Sequence, residues 1–503
     1  MTLLGVDAGT THSKAGIFTE DGEALRIASR NTQTQRSPAG FYYYDPELLW
    51  QGVVSAIEEV LAGIDPREIT AVGIASMAET GLLVDRKTGA PRSVFIPWFD
   101  TSAGGQAEIL GNPGSPWSIE ERFLKTGIRP SYKCSLAKLL WLRERGEGAL
   151  VGLVWLSAAD YIAYRLTGEL GTDYSLAGRT YAFRIDTKEW DKEWLEHWGF
   201  TANLFPPPGP SGKPVGGINS RAFSQIGLAK GTPVSISGHD HLCAAFAAGA
   251  ARPGGVFDSL GTAETLVGAI ESRPLGRPDY LSGLSYGCHV KTGLHYWMGG
   301  ISASGGSIEW LRSLLGEPPL TYPQLAALLE DIPPEPGELL YFPHLAGRGS
   351  PYTDPSARGA LIGLKASHGR GDILRAVLEG TAYEMEAVRR AAEQATGLAI
   401  NPIVASGGGT RNRRWMQIKA DVSGSRLEIL AVPEATLYGA ALLAGAGCGV
   451  SSSSEQPPVS LVQPEIETYL PDDARHAAYQ CLFEQGYLPL QEALKPYYHW
   501  RKG

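Results

Sequence analysis

Residues 3–18 read Leu-Leu-Gly-Val-Asp-Ala-Gly-Thr-Thr-His-Ser-Lys-Ala-Gly-Ile-Phe, and the fold turns on this stretch. Leu3, Leu4 and Val6 form a short apolar run suited to a buried strand, and a second run, Ala15 to Phe18, leads away from a tight turn at Gly9. Such a turn exposes successive backbone N–H groups. Thr10, Thr11 and Ser13 set hydroxyls beside them, so the turn can cradle phosphate oxygens. Asp7 stands where it can hold a divalent cation, directly or through water, and Lys14 can add positive charge. An ordinary hairpin closed by a glycine turn has the same local pattern. The rest of the chain decides between the two.

Residues 255–266, Gly-Val-Phe-Asp-Ser-Leu-Gly-Thr-Ala-Glu-Thr-Leu, repeat the design: an apolar strand, a turn at Gly261-Thr262, and another apolar strand. Two such units imply a duplicated α/β architecture. Each half is expected to be a mixed sheet flanked by helices, with its hairpin facing the cleft between the halves. Between the hairpins, Trp50, Val53, Val54 and Ile57 recur at helical spacing within 46–61, and 71–76 reads as a buried strand. The pattern over 118–170 is mostly helical, including 136–145 and 158–167, and 204–217 is a connector rich in Pro and Gly. A strand at 233–237 precedes a small-residue helix over 242–250. Later, Ile403-Val404 leads into a triple glycine, Gly407-Gly408-Gly409, ahead of a helix over 414–423. A strand, a glycine turn and a helix N-terminus let a nucleotide approach the backbone closely. Residues 437–446, rich in Ala and Gly, suit a tightly packed helix, 451–456 a polar surface loop, and 472–498 a helical tail packed onto a domain.

A chain of 503 residues is expected to form two or more domains. Its net charge of −9 argues against nucleic acid or an anionic membrane surface as the main partner. Cys134, Cys243, Cys288, Cys448 and Cys481 are scattered, as reduced thiols of a cytoplasmic protein would be. No apolar run approaches the roughly 18 residues of a membrane span.

The turn Gly238-His239-Asp240-His241 joins a strand to a helix and offers the best general base. A carboxylate there can take the proton of an alcohol as its oxygen attacks a γ-phosphate, a reaction dominated by positioning and charge neutralisation. An Asp at a helix start also serves as an N-cap. The alternate spacing of His239 and His241 is expected to point the rings apart, against a zinc site.

In order along the chain, Gly-Val-Asp-Ala-Gly-Thr-Thr (5–11), Gly-His-Asp-His (238–241), Ser-Leu-Gly-Thr-Ala (259–263), Gly-Gly-Gly-Thr-Arg-Asn (407–412) and Tyr-Gly-Ala-Ala (438–441) resemble the motifs of the FGGY carbohydrate kinase family. The resemblance implies two actin-like ATPase (ribonuclease H-like) domains closing on ATP and Mg²⁺. The N-terminal domain would span 1–248, with the sugar pocket, and the C-terminal domain 249–503, with the adenosine site. By motif position, Thr10, Thr11 and Lys14 belong to the first phosphate site and Gly261 and Thr262 to the second. Gly305, Glu309, Gly408 and Asn412 resemble nucleotide contacts, although glycerol kinase has Gln where Glu309 stands. Asp240 matches the catalytic base, and Asp7, with Asp240, the metal-associated carboxylates.

The acceptor pocket departs from the family pattern. Met77-Ala78-Glu79-Thr80 stands where glycerol kinase has Arg-Glu-Thr and xylulokinase Met-His-Gly. Glu79 can accept two hydrogen bonds from a vicinal diol, whereas Ala78 leaves room or a missing polar contact. Trp98 and Asp100 resemble the pocket tryptophan and the acid after it, and His241 joins the acceptor set. Lys133 is either a surface lysine or, facing the pocket, a group favouring an acceptor that carries a carboxylate. The implied activity is ATP-dependent phosphorylation of a terminal hydroxyl on a small ketose or polyol. A catalytically lapsed sugar-binding or regulatory member of the fold is the alternative, and a homodimer is a further expectation from relatives.

Overall fold

The computed structural model describes residues 2–19, 22–112, 116–147, 150–430, 434–450 and 467–500. Strand β1 (Thr2–Ala8) pairs antiparallel with β2 (His12–Thr19), which sets Asp7 opposite Lys14, and β2 pairs antiparallel with β3 (Ala24–Asn31). β4 (Ile69–Ser76) joins β1 in parallel, β6 (Pro233–His239) joins β4 in parallel, and β5 (Pro214–Gly217) closes the edge antiparallel to β6. The order is β5–β6–β4–β1–β2–β3. Leu3, Leu4 and Val6 are fully buried, as expected of a strand covered on both faces, which need not alternate apolar and polar residues.

The second sheet follows the same plan. β7 (Val256–Leu260) pairs antiparallel with β8 (Glu264–Glu271), and β8 with β10 (Leu294–Ile301), which also carries β9 (Ser285–Cys288). β11 (Ile403–Ser406) joins β7 in parallel and β12 (Leu427–Ile429) joins β11, with β13 (Glu467–Tyr469) antiparallel at the edge. Each half is thus a three-strand meander whose first strand also accepts a parallel pair. The two hairpins quoted above occupy the same place in both.

Helix α1 (Pro46–Leu61) starts where the Asp45 carboxylate accepts the Glu47 and Leu48 N–H groups, each at 2.9 Å. Its Trp50, Val53 and Ile57 face packs with α3 (Ala158–Thr167) in the core that covers the first sheet's outer face. Two helices, α4 (Asp240–Ala247) and α8 (Ala435–Gly447), share a second core with Phe257 and Val267 of the second sheet. The second sheet's other face carries α5 (Gly305–Leu314), α6 (Arg370–Thr396) and α7 (Arg413–Ser423).

Helix α8 explains the Ala/Gly composition of 437–446. It lies between β12 and β13 of the second sheet in sequence yet packs against β1, β4 and β6 of the first. A Cβ on Gly5 would sit 2.1 Å from the Leu437 carbonyl oxygen, one on Gly73 1.9 Å from that of Ala440, and one on Gly439 2.0 Å from that of Cys243. Ser237 Oγ donates to the Ala440 carbonyl at 2.8 Å. An element of the C-terminal half is therefore built into the core of the N-terminal half.

Several local expectations change. A strand, Leu153–Ser157, interrupts the helical stretch 118–170, because it pairs with Gly81–Asp85. The helix expected over 136–145 is α-helical only over Ser135–Leu142 (α2), followed by a wider turn in which Gly146 leaves helical geometry. The 204–217 connector contains edge strand β5. The tail is helical as expected, with a wider π-type turn at Phe483–Tyr487 between Asp473–Leu482 and Leu488–His499. Residues 451–456 lie outside the described residues. All five cysteines are free thiols. Among the described residues no helix is long and apolar enough to cross a membrane.

Candidate active site

The first hairpin turn is held by backbone: Gly9 N–H donates to the His12 carbonyl (3.0 Å), and Thr32 Oγ1 donates to the Gly9 carbonyl (3.1 Å). Thr10 faces inward, its hydroxyl receiving the Trp98 indole N–H at 2.9 Å, whereas Thr11 is exposed beside His12. Lys14 pairs with Glu434 at 2.6 Å, just before α8, so this cation also pins the first hairpin to that helix.

Asp240 is presented by a kink. β6 breaks register between Ile236 and Gly238, and Gly238 adopts φ +116°, where a Cβ would meet Ser175 Oγ at 2.5 Å. The chain then enters α4 with Asp240 in its first turn. Asp240 does not cap the helix; its Oδ1 accepts the His241 N–H at 2.7 Å and lies 3.2 Å from His239 Nε2. Burial acts to raise its pKa, but the flanking histidines and these hydrogen bonds prevail, holding it at about 2. Asp7 behaves oppositely. Burial, then repulsion from Asp240, lifts its carboxyl well above the ordinary range, and its Oδ1 is buried without a hydrogen-bond partner. Two adjacent carboxylates pushed apart in this way suit one proton or one cation between them.

The two histidine rings do not point apart. They meet edge-to-face with centroids 5.3 Å apart, and with Asp240 they place three ligand-type atoms within 4.8 Å of one another. The kink at Gly238 puts His239 at the end of the strand and His241 in the first helical turn, on one side. Burial lowers the pKa of His241.

Glu79, at φ +60°, is fastened at both its carboxylate and its main-chain carbonyl. Arg179 donates from Nε to Glu79 Oε1 at 2.8 Å and from Nη2 to the same oxygen, while its Nη1 lies 3.4 Å from the Tyr296 hydroxyl on β10 of the other half. Lys138, fully buried on α2, donates to the main-chain carbonyl of Glu79 and, at 3.4 Å, to that of Ile96. Burial of Glu79 favours its neutral form; Arg179, then Lys133 and His239, overcome this and keep it ionised below its ordinary range. Burial drives the Lys138 amine down to about 7. Trp98 is fixed by Thr80 Oγ1, which accepts its N–H at 3.1 Å, and by Thr10, so the acceptor wall and the phosphate turn share a hydrogen bond. Lys133 Nζ stands over the Trp98 ring, 5.1 Å from its centroid.

Two expected acceptor residues are placed differently. Ala78 is packed into the first core. Asp100 is buried with its oxygens on backbone amides, of Tyr42 at 2.7 Å and Ser102 at 3.0 Å, so it braces the pocket loop. Lys138→Met would leave the Glu79 and Ile96 carbonyls without their cation, at a cost of about 1–3 kcal/mol. The expected kinetic outcome is a roughly tenfold or larger rise in acceptor KM with ATP KM nearly unchanged, measured by steady-state kinetics varying each substrate in turn.

In the second half, the backbone N–H groups of Gly305 and Gly306 donate to the Gly261 and Thr262 carbonyls at 3.2 and 2.9 Å, tying the second turn to the start of α5. Gly305 is required there, since its Cβ would lie 2.4 Å from the Gly261 oxygen. Glu264, just past the turn, is fully buried and bonds Lys419 Nζ at 2.5 Å and Ser304 Oγ. Gly408 opens onto free space, while its neighbours Gly407 and Gly409 press on Leu260 and Trp415. Asn412 Oδ1 caps α7 by accepting the Trp415 N–H at 3.1 Å. Glu309 is engaged by Arg312 at 2.6 Å and by the Tyr322 hydroxyl.

Arg179 and Lys138 carry no local sequence signal; each reaches Glu79 from a distant segment. The missing cation at position 78 was the one hint that another group must supply it.

Residues 2–247 match the N-terminal domain, and residues 258–448 the C-terminal domain, of the FGGY family of carbohydrate kinases. A glycerol kinase from Citrifermentans bemidjiense is 32% identical over 463 residues, covering 90% of this chain and 91% of that protein. A xylulose kinase from Bacillus subtilis is 27% identical over 485 residues, covering 96% and 95%. The crystal structure of xylulose kinase from Rhodospirillum rubrum superposes with a TM-score of 0.88 at 27% identity, over 99% of this chain and 100% of that one.

Proposed function

The chain belongs to the FGGY family of carbohydrate kinases and is an ATP-dependent phosphotransferase, and from that membership we propose how its own residues carry the reaction. The acceptor is a small ketose or polyol whose reacting terminal hydroxyl lies against Asp240. Its proton passes to the carboxylate as the hydroxyl oxygen bonds to the γ-phosphorus. The bond from that phosphorus to the β–γ bridging oxygen breaks, and ADP leaves.

The carboxylate is ready for this role because it stays ionised with its contacts to His239 and the His241 amide gathered on Oδ1. Amides and hydroxyls of the Gly9–Thr11 and Gly261–Thr262 turns cradle the phosphates, and Gly408 gives the nucleotide access to backbone. Glu79, held ionised by Arg179, accepts from acceptor hydroxyls, and Trp98 offers its ring to the C–H face. The orphaned Asp7 Oδ1 beside a second carboxylate fits a divalent cation: Asp7 and Asp240 would hold Mg²⁺, which when bound offsets charge on the phosphates.

The observation that carries this reading is the adjacency of Asp7 and Asp240 beneath a turn whose Thr10 is hydrogen-bonded to the acceptor wall. ADP release measured across polyols, ketoses and sugar acids tests it. Acceptor-dependent turnover is expected. Acceptor binding without any turnover would favour the lapsed regulator, and faster ATP hydrolysis without acceptor than with it would favour a plain ATPase.

Asp7→Asn separates stability from activity. Removing a buried, repelled carboxylate is expected to stabilise the nucleotide-free protein by about 0.5–2 kcal/mol while turnover falls, since active-site charge is kept at a cost to the fold. Denaturant unfolding beside steady-state kinetics checks this; loss of both together contradicts it.

A further inference from the structure

Charge around Glu79 is unbalanced. Its carboxylate is engaged by Arg179, and Lys138 is buried against its main-chain carbonyl. Asp100, the next acid, is tied up by backbone amides. A third cation, Lys133, adjoins the same group: it helps hold Glu79 ionised, and its ammonium rests over Trp98. Among the described residues no carboxylate forms an ion pair with Lys133. Tyr132, beside it, is partly buried against the core that carries α2, so segment 132–133 lies against the protein rather than in open solvent. Lys133 is half-buried, and Trp98 under it is pinned to Thr10, so the ammonium has a fixed station on the acceptor wall.

A neutral ketose or polyol would leave that cation uncompensated once water is displaced. A cation–π contact alone is worth only about 0.5–1 kcal/mol at an exposed site, less than the charge-assisted hydrogen bond a carboxylate would add. Building on the kinase reading above and narrowing its acceptor, we propose that the polyol carries a carboxylate: it is a sugar acid, with that carboxylate received by Lys133 on the face of Trp98 and its distal hydroxyl phosphorylated at Asp240. Arg179 serves differently. Both of its short contacts fall on Glu79 Oε1, so it sets the charge of the hydroxyl-binding group and leaves Lys133 to read the carboxylate.

The test is ADP release with aldonates of four, five and six carbons, each against the alditol and ketose of equal length, for wild type, K133M and K133R. Methionine keeps the stem that covers Trp98 and deletes the charge. The best aldonate is expected to exceed its alditol and ketose in kcat/KM, and K133M to reduce the aldonate-to-alditol ratio roughly tenfold or more, with K133R recovering part of it. A wild type that prefers neutral acceptors overturns the proposal while leaving the kinase reading intact, as does a ratio unchanged in K133M. No turnover with any acceptor, together with no shift in melting temperature on adding aldonates, overturns both.

Discussion

Asp240→Asn will lower kcat by about 10²–10⁴-fold, the usual worth of a positioned general base, while the Kd for nucleotide measured without Mg²⁺ stays within roughly twofold. The asymmetry follows from where the group sits. In the proposed reaction Asp240 meets the acceptor side of the transfer, and its partners are His239 and the His241 amide. Asparagine preserves size and can still accept the His241 N–H, so α4 and the kink at Gly238 survive. What it cannot do is take the hydroxyl proton. The pH profile supplies an independent check. With Asp240 held at about 2, kcat/KM should not fall on its account between pH 5 and 8, and a limb in that range belongs to another group. Residual activity within tenfold of wild type would remove Asp240 from the role.

Lys419→Met is expected to destabilise the protein by about 3–5 kcal/mol, because it strips the partner from a buried carboxylate. Lys419 and Glu264 are both fully buried and 2.5 Å apart. Asp258, also fully buried, adds a second carboxyl whose oxygens have no hydrogen-bond partner. Burial, then repulsion from Glu264, raises its pKa well above the ordinary range, which favours its protonated form. Without Lys419 two acids would share one dry space. The network also reaches function: Glu264 holds Ser304, which precedes the Gly305 and Gly306 amides bracing the second phosphate turn. A raised ATP KM should therefore accompany the lost stability. Adding Glu264→Gln to Lys419→Met should restore a large share of the stability, since the isolated charge is gone. Denaturant melts of both variants decide it; a single variant as stable as wild type would show the pair to be dispensable.

The two hairpins were legible because a buried parallel strand, a glycine turn and an antiparallel return leave a dense local pattern, and Leu3 to Phe18 carries all of it. The helix over 46–61 was legible from its apolar residues at helical spacing, and the strand–glycine–helix order over 403–423 from the same kind of local pattern. Long-range chemistry was not. Arg179 meets Glu79 a hundred positions away, Lys138 reaches a carbonyl rather than a charge, and neither contact leaves a periodicity. The histidine pair was misjudged because residue spacing on a turn says little once Gly238 takes φ +116°. Helix α8 was readable as tightly packed but not as crossing to the other half. Glycines such as those at 5, 73, 212 and 439 encode that crossing, each placed where a Cβ would collide with a carbonyl oxygen of the facing element.

The central claim is that both glycine-threonine turns and Asp240 act on one phosphoryl group. A crystal structure with a non-hydrolysable ATP analogue, Mg²⁺ and a reactive acceptor tests it most directly. The account predicts the terminal phosphate between the amides of Thr10 and Thr11 and those of Gly261 and Thr262, with the acceptor hydroxyl in hydrogen-bond contact with Asp240. A terminal phosphate held by one turn alone, with Asp240 turned from the acceptor in the closed complex, would contradict it.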